Sequence, residues 1–344
     1  AACGGMVQLP LVIANRSRRR RQAVLIRERL DFTEKSPFFH EAVAALQPYE
    51  RRLVRRVMPA VKRGFYRLRQ VELLGGDPGG FFCCRRRFRL PGEVMIYPEY
   101  LRLSRLPEMS RHRSLQAVTG RPLGVSGVGQ EFFGVREYSA YDEMRFIHWK
   151  ASARHRKLMV KEFEANTISH LYVLLDTEAA GVGDDAEDNN FEFLVRAAAA
   201  IVNCLADMHC RLTFVSARRG GVVRFSGEAV GIGRSIVNLL AVITPGTVAA
   251  EELLDHEFDR FDRNAICYCL SMSGSEKLVR RLNFLGRQGV DVRWFLAPRQ
   301  YFPRHDAWGT VPVTAGEHHF ADYGVVAPVV ARQDSDIVRM LSHD

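Results

Sequence analysis

The sequence predicts an α/β protein in which a doubly wound, mainly parallel sheet is preceded by an N-terminal antiparallel β-sandwich. Three observations predict it. From Met6 to about Pro98, apolar and polar residues alternate with a period of two and are punctuated by Gly, Pro and Asn, which is the pattern of antiparallel strands. From Leu171 onward, short apolar runs alternate with helix-spaced segments, the mark of parallel strands covered on both faces. The charge changes at the same place. Residues 1–168 carry 32 Lys+Arg against 16 Asp+Glu, a net +16, whereas residues 169–344 carry 17 against 23, a net −6. These observations divide the chain into a β-sandwich over residues 1–100, a connecting segment over 101–168 and an α/β domain over 169–344.

In the first segment, Val7 to Ala14 and Ala23 to Leu30 read as strands flanking the Asn15-Arg16-Ser17-Arg18 turn. Arg52 to Met58 reads as a third strand. Phe65 to Leu74 and Phe81 to Arg89 flank Gly75-Gly76-Asp77-Pro78-Gly79-Gly80 and read as a hairpin. Arg16 to Arg21 and Arg85 to Arg89 then become solvated strand ends and hairpin rims, and the paired aromatics Phe81-Phe82 and Phe132-Phe133 read as buried apolar runs. In the last segment, Leu171 to Asp176 is a strand ending in an acid, and Asn190 to Met208 is an Ala-rich helix. Leu212 to Ala217 and Val222 to Phe225 are strands joined by a turn, and Ile232 to Ile243 is a helix. Ala265 to Leu270 is a strand, Glu276 to Arg287 a helix closed by Gly289, and Val290 to Leu296 a strand. Asp334 to Leu341 is the best helix candidate in the tail.

A chain of 344 residues with 47% hydrophobic and 26% charged residues can bury a sizeable core and folds as a globular protein. Its longest apolar runs, such as Ala197 to Val202, fall short of the roughly 18 to 20 residues a membrane span needs. The chain starts Ala1-Ala2-Cys3 without methionine, which points to a missing preceding segment. Seven cysteines without paired Cys-x-x-Cys spacing fit a reducing compartment, with Cys267 and Cys269 as small buried hydrophobes. The basic part leaves open nucleic acid, an anionic membrane or an acidic protein as partner.

Residues 134–164 hold the densest mixture of aromatics and opposite charges in the chain. Arg136-Glu-Tyr138, Asp142, Arg145, Ile147-His148-Trp149-Lys150, Ala153-Arg154 and Leu158 to Glu164 together resemble the signature of the bacterial domain of unknown function 58 family. Supporting matches are Arg63-Gly64 with Tyr66, the Asp77-Pro78 turn, Tyr97-Pro98 and the strand 171–176. Tyr141 departs from the family pattern, which usually has Gly before the Asp. The resemblance implies a von Willebrand factor A-like sheet in the C-terminal part and a MoxR-type AAA+ ATPase as partner. It also implies a place at the cytoplasmic face of the bacterial inner membrane, with an N-terminal anchor outside this chain.

Read from the residues, the signature is structural or partner-binding. A helix through Ile147 to Arg154 would put Ile147, Ala151 and Arg154 on one face and Trp149 and Ala153 on the next. Asp142 and Glu143 suit its positive N-terminal end, and Arg154 and Arg156 its C-terminal end. Trp149 is expected to be largely buried, anchoring the junction between the basic and acidic parts, and Arg154 or Arg145 to pair with an acid. A catalytic or anion-binding cluster of Asp142, Arg145, His148 and Lys150 is the alternative. No nucleophile stands at a suitable spacing, so no catalytic residue is assigned.

The metal-ion-dependent adhesion site that an A-like domain can carry needs clustered oxygens after the first strand. Asp176-Thr177-Glu178-Ala179-Ala180 keeps Asp176 alone of the ligand-type positions, and Ser271-Met272-Ser273-Gly274 offers no acid. The sequence therefore predicts no metal and no cofactor. The glycine pairs Gly181-Val-Gly183 and Gly231-Ile-Gly233 lack a third glycine, and no phosphate loop is present. Three functions follow. The first is a non-enzymatic adaptor for the ATPase or its client at a membrane surface. The second is a binder of anionic membrane or nucleic acid, with nucleic acid not expected. The third is a metal-dependent ligand binder.

Overall fold

The computed structural model describes residues 1–33, 38–76, 81–103, 106, 132–138, 144, 147–163, 170–185, 188–206, 210–218, 221–262, 265–302 and 326–342. They form two compact units, one of Ala1–Leu106 with His170–Asp344 and one of Pro107–Ser169.

The first unit begins with six antiparallel strands: β1 (Met6–Ala14), β2 (Arg21–Arg29), β3 (Phe38–Leu46), β4 (Arg51–Pro59), β5 (Gly64–Gly76) and β6 (Cys83–Ile96). β1 pairs with β4, and the others form a four-stranded sheet in the order β3-β2-β5-β6. Alternation sends Val54, Arg56 and Met58 of β4 inward and their neighbours to solvent. The inward residues of both sheets meet in two clusters. One joins Val7 and Met58 to Leu30, Phe32, Val94 and Ile96. The other joins Leu11, Ile13 and Val54 to Ile26, Val43, Leu46 and Val71.

The sequence pattern assigned no strand to 38–46. β3 is an edge strand that buries only Val43 and Leu46 fully, so its alternation is weak and pairing with β2 makes it a strand. β6 runs past Arg89 through Pro91, which is tolerated because it falls where the ladder with β5 shifts register, between the Gln70–Arg89 and Leu68–Gly92 pairs of an edge strand.

The remainder of this unit is an α/β layer. Its strands are β9 (Leu171–Leu175), β10 (Arg211–Arg218), β11 (Gly221–Glu228), β12 (Ile266–Ser271), β13 (Asp291–Leu296) and β14 (Val329–Val330). They lie in the order β11-β10-β9-β12-β13-β14, parallel except for β11. All five residues of β9 are buried, as a central strand requires. The helices are α2 (Asn190–Leu205), α3 (Ala229–Val242), α4 (Ala250–Glu257), α5 (Glu276–Arg287) and α6 (Ile337–Ser342). α2 buries twelve of its sixteen residues, which makes it core rather than a surface helix. α5 buries Leu278, Val279, Leu282, Asn283 and Leu285 on one stripe, and Gly289 follows it at φ 90, a left-handed conformation that glycine adopts without strain. Cys267 and Cys269 are buried beside Trp294 in the core between the sheet, α4 and α5.

In the second unit, β7 (Phe132–Glu137) pairs antiparallel with β8 (Met159–Phe163), and α1 (Trp149–His155) lies between them in sequence. No helix among the described residues is long and apolar enough to cross a membrane.

Candidate functional site

In an open parallel sheet, ligands meet the carboxyl ends of strands where the winding reverses. Here that point lies between β9, whose neighbours are β10 and β12, and β12 itself. Asp176 follows β9 there and is 1% exposed. Both its oxygens are already used: Oδ1 accepts from the Glu178 N–H and Oδ2 from the Met272 N–H, each at 2.9 Å. The carboxylate thus ties the loop after β9 to the loop after β12. Burial pushes its pKa up to about 6, against the lowering effect of the two N–H donors and with Glu178 and Glu251 raising it further.

Around Asp176 the walls are polar. The Thr177 carbonyl accepts from the Gly246 N–H at 2.6 Å, and the Gly246 carbonyl accepts from the Ala179 N–H at 2.8 Å. Ser275 caps α5 by accepting from the Leu278 N–H and donates to Glu251 Oε1 at 3.1 Å. Among the described residues, Thr177 Oγ1 and Glu251 Oε2 are buried without a hydrogen-bond partner. They are the oxygens left over for a cation or a water.

Asn190, absent from the sequence reading as a site residue, organises the same end. Its Nδ2 donates to the carbonyls of Gly181 and Ala297 at 2.8 Å each, and its Oδ1 accepts from Gly183 N–H at 2.8 Å. One fully buried amide therefore joins the loop before α2 to the end of β13. The Asp-Asn-Asn run before an apolar helix signals Asn189, which caps α2 by accepting from the Glu192 N–H. Nothing local signals Asn190's distant partners.

At the opposite end of the sheet, His170 Nδ1 meets Asp262 Oδ2 at 2.6 Å, and Nε2 meets Thr213 Oγ1 at 2.7 Å. Thr213 in turn contacts Ser226 Oγ at 2.8 Å. The order acid, imidazole, hydroxyl is that of a catalytic relay. Thr213 is fully buried, however, so no substrate reaches it, and the relay fastens β9, β10 and β11 together. Burial holds His170 below its ordinary pKa, against the opposing pull of Asp262.

The β sheets and the α/β layer are joined by residues the family resemblance had marked as supporting. Arg63 Nε and Nη2 donate to the two oxygens of Glu192 in the first turn of α2, at 2.7 and 2.8 Å, and Nη1 donates to the Leu240 carbonyl at 2.7 Å. Gly64 sits at φ 152 with the Tyr66 ring against its Cα, where a Cβ would come within 3.1 Å of the ring. Tyr66 returns its hydroxyl to the carbonyls of Lys62 and Arg63. Tyr97 donates to Asn238 Oδ1 at 3.1 Å as a second tie.

In the signature unit, His148 caps α1, its Nδ1 accepting from the Ala151 N–H at 3.1 Å, while its own N–H donates to the Met159 carbonyl at 2.7 Å. The imidazole here is used as a helix cap. Ser152, which the sequence reading passed over, donates to the His148 carbonyl and accepts from the Met159 N–H at 2.8 Å, fastening α1 to β8. Ile147 bridges Val160, and both are buried. Arg136 lies in β7, and Tyr138 follows it, its N–H donating to the Leu158 carbonyl. Asp142 and Arg145 lie outside the described residues.

One expectation is corrected here. Trp149 is 67% exposed: it opens a seven-residue helix that buries none of its own residues, while Ile147, Met159 and Val160 near it in the sequence are the buried ones. Arg154 is exposed and has no carboxylate partner among the described residues, and Arg145, the other residue expected to make that pairing, lies outside them. Among the described residues of this unit, Lys157 pairs with Glu137 at 2.6 Å. Arg156 ends α1 in the left-handed conformation. Trp149, Lys150, Arg154 and Arg156 are thus all presented to solvent.

A mixed α/β protein with a separate, helix-bearing β-hairpin signature is the class that these features define. Residues 134–223 match the family model described as "Protein of unknown function DUF58". "Uncharacterized protein YeaD" of Bacillus subtilis (strain 168) is 29% identical over 116 residues, which are 34% of this chain. The match spans 29% of that protein's length. The solved structure titled "Crystal Structure of the SpRpn10 VWA domain" aligns with a TM-score of 0.35 at 12% identity, covering 50% of this chain and 93% of that one.

The buried Asp176 gives a pH signature. Its pKa is raised above the unfolded value of 3.8, so the folded state binds the proton more tightly and the favourable contribution is lost as pH rises toward and through 6. Between pH 5 and pH 7.5, this group should cost the protein about 1–2 kcal/mol of stability. Urea unfolding of wild type and Asp176→Asn at both pH values isolates the effect. Equal pH dependence in the two proteins would contradict the assignment.

Proposed function

We propose that this chain is a non-enzymatic adaptor that binds a MoxR-type AAA+ ATPase or its client, working at the cytoplasmic face of a bacterial inner membrane. The carrying observation is the presented face of α1, where an indole stands exposed among cations within the family signature. Exposed Trp and Arg are the residue types that dominate protein interfaces, and the basic surround suits an acidic partner surface. The six-stranded sheet, with its antiparallel β11 at one edge, is taken as the von Willebrand factor A-like domain that the family resemblance implies. In this reading it serves as the scaffold. Its Asp176 carboxylate acts as an internal tie.

The test is binding of the purified chain to a MoxR-type ATPase in its ATP and ADP states. Trp149→Ala should weaken that binding by at least roughly thirtyfold, the loss expected for an interfacial Trp anchor, while leaving the melting temperature in place because the side chain is exposed. Absence of binding by the wild type, or full binding by the variant, would remove this reading.

A second reading, metal-dependent ligand binding at the sheet mouth, draws on the unpaired oxygens Thr177 Oγ1 and Glu251 Oε2. Titration calorimetry with Mg²⁺ and Mn²⁺ separates the two. Binding tighter than about millimolar that Asp176→Ala abolishes would favour the second, since both unpaired oxygens flank that carboxylate's loops.

A further inference from the structure

We propose that the β5–β6 hairpin is a membrane-docking finger, its apolar end entering the interface of an anionic bilayer while its arginines engage the lipid phosphates. This goes beyond a membrane address for the adaptor and stands whether or not the chain binds an ATPase.

The sequence reading took Phe81-Phe82 as a buried run. In the structure they are 85% and 77% exposed. The ladder of the hairpin closes with Leu74 opposite Arg85, Gly75 opposite Cys84 and Gly76 opposite Cys83, so both rings lie just beyond its last rung. Behind them, every residue from Cys83 to Pro91 is exposed, so neither face of this half of β6, the edge strand of its sheet, is covered. Arg85, Arg86, Arg87 and Arg89 fall in this stretch, with Phe88 and Leu90 also open to solvent. Arg87 is engaged by Glu72 at 2.7 Å, whereas Arg85, Arg86 and Arg89 have no carboxylate partner among the described residues.

Two large exposed rings side by side are unfavourable in water and mark a surface meant to be covered. The order along the hairpin says what covers it. Apolar rings come first, and the cations follow three to seven residues behind Phe82, at roughly 10 to 23 Å along the strand. An anionic bilayer is layered the same way, with phosphates at the surface and apolar chains beneath. A single-stranded nucleic acid asks for a different arrangement, with aromatic platforms along the groove that the phosphates track. An unmatched row of guanidinium groups on an edge strand also discourages a second β-strand from pairing there.

The experiment is sedimentation with vesicles of phosphatidylcholine alone and with about one third phosphatidylglycerol, the second presenting the anionic surface that cations seek. The wild type should sediment with the anionic vesicles and stay free of the neutral ones. Phe81→Ser with Phe82→Ser should weaken sedimentation at least roughly tenfold, and Arg85→Gln with Arg86→Gln and Arg89→Gln by roughly fivefold per cation removed. An environment-sensitive fluorophore on the exposed Cys83 and Cys84 should shift to the blue on anionic vesicles only. All five substituted side chains are exposed, so melting curves should be unchanged. Three outcomes would overturn the proposal: no sedimentation of the wild type, sedimentation that neither variant alters, or a fluorophore indifferent to vesicles. Retention of a single-stranded oligonucleotide that the phenylalanine variant loses, with vesicles ignored, would do the same and assign the hairpin to nucleic acid.

Discussion

Glu28→Ala is expected to destabilise the protein by ~3–5 kcal/mol, the range for breaking one side of a buried ion pair. Glu28 lies in β2 and Arg56 in β4, strands of the two facing sheets, and their side chains are 3% and 7% exposed. Their charged ends meet directly, and Arg56 Nε also donates to the Leu9 carbonyl at 2.9 Å. Removing the carboxylate leaves a guanidinium buried among apolar neighbours, and burial already holds Arg56 below its ordinary pKa. The pair itself is not the source of stability, because two desolvated charges recover little more than they lose. The double variant Glu28→Leu with Arg56→Met should therefore return to within about 2 kcal/mol of wild type. Urea unfolding followed by circular dichroism measures both. A single variant costing less than about 1 kcal/mol would mean that the pair is hydrated.

Arg63→Ala is expected to cost ~2–4 kcal/mol and to loosen the β sheets from the α/β layer. Three hydrogen bonds are lost, two of them charge-assisted and in the parallel, two-pronged geometry that only guanidinium offers. The Leu240 carbonyl and Glu192 then lose their donor together. Arg63→Lys should rescue less than half, since an ammonium cannot span both carboxylate oxygens while reaching the carbonyl. A double-mutant cycle with Glu192→Ala should give a coupling of about 1–3 kcal/mol. Hydrogen exchange should rise first along β5 and the start of α2, and unchanged exchange there would show that the joint does not depend on Arg63.

Much of the fold was legible because helix and strand periodicity are local properties. β9, β10, β12, β13 and the two best amphipathic or buried helices, α2 and α5, were placed within a few residues. The strands missed were β3, β7 and β14, and of these β3 and β14 are edge strands that bury little and owe their form to the neighbour they pair with. The site was less legible. Asp176 stood out as an acid ending an apolar run, but its partner is the backbone of Met272, 96 residues away. Arg63 was marked by resemblance only, and its partner Glu192 is 129 residues distant. His170, Thr213 and Asp262 carry no motif at all, since their relay is assembled from strand ends brought together by the sheet.

Aromatic residues show the same division most clearly. Phe81, Phe82 and Trp149 read as core because large apolar side chains usually are core, yet all three are exposed, whereas Trp294 is buried and donates to Ser271. By itself the sequence determined the α/β class, the division between basic and acidic parts, and the family signature over residues 134–164. Each depends on residue types and on spacings of a few positions. Only the tertiary structure decided which charges are buried together, which carboxylate is consumed as a tie, and which aromatics face solvent. Burial is set by what lies across the sheet or beyond its edge, and that neighbour is contributed by a distant part of the chain or by none.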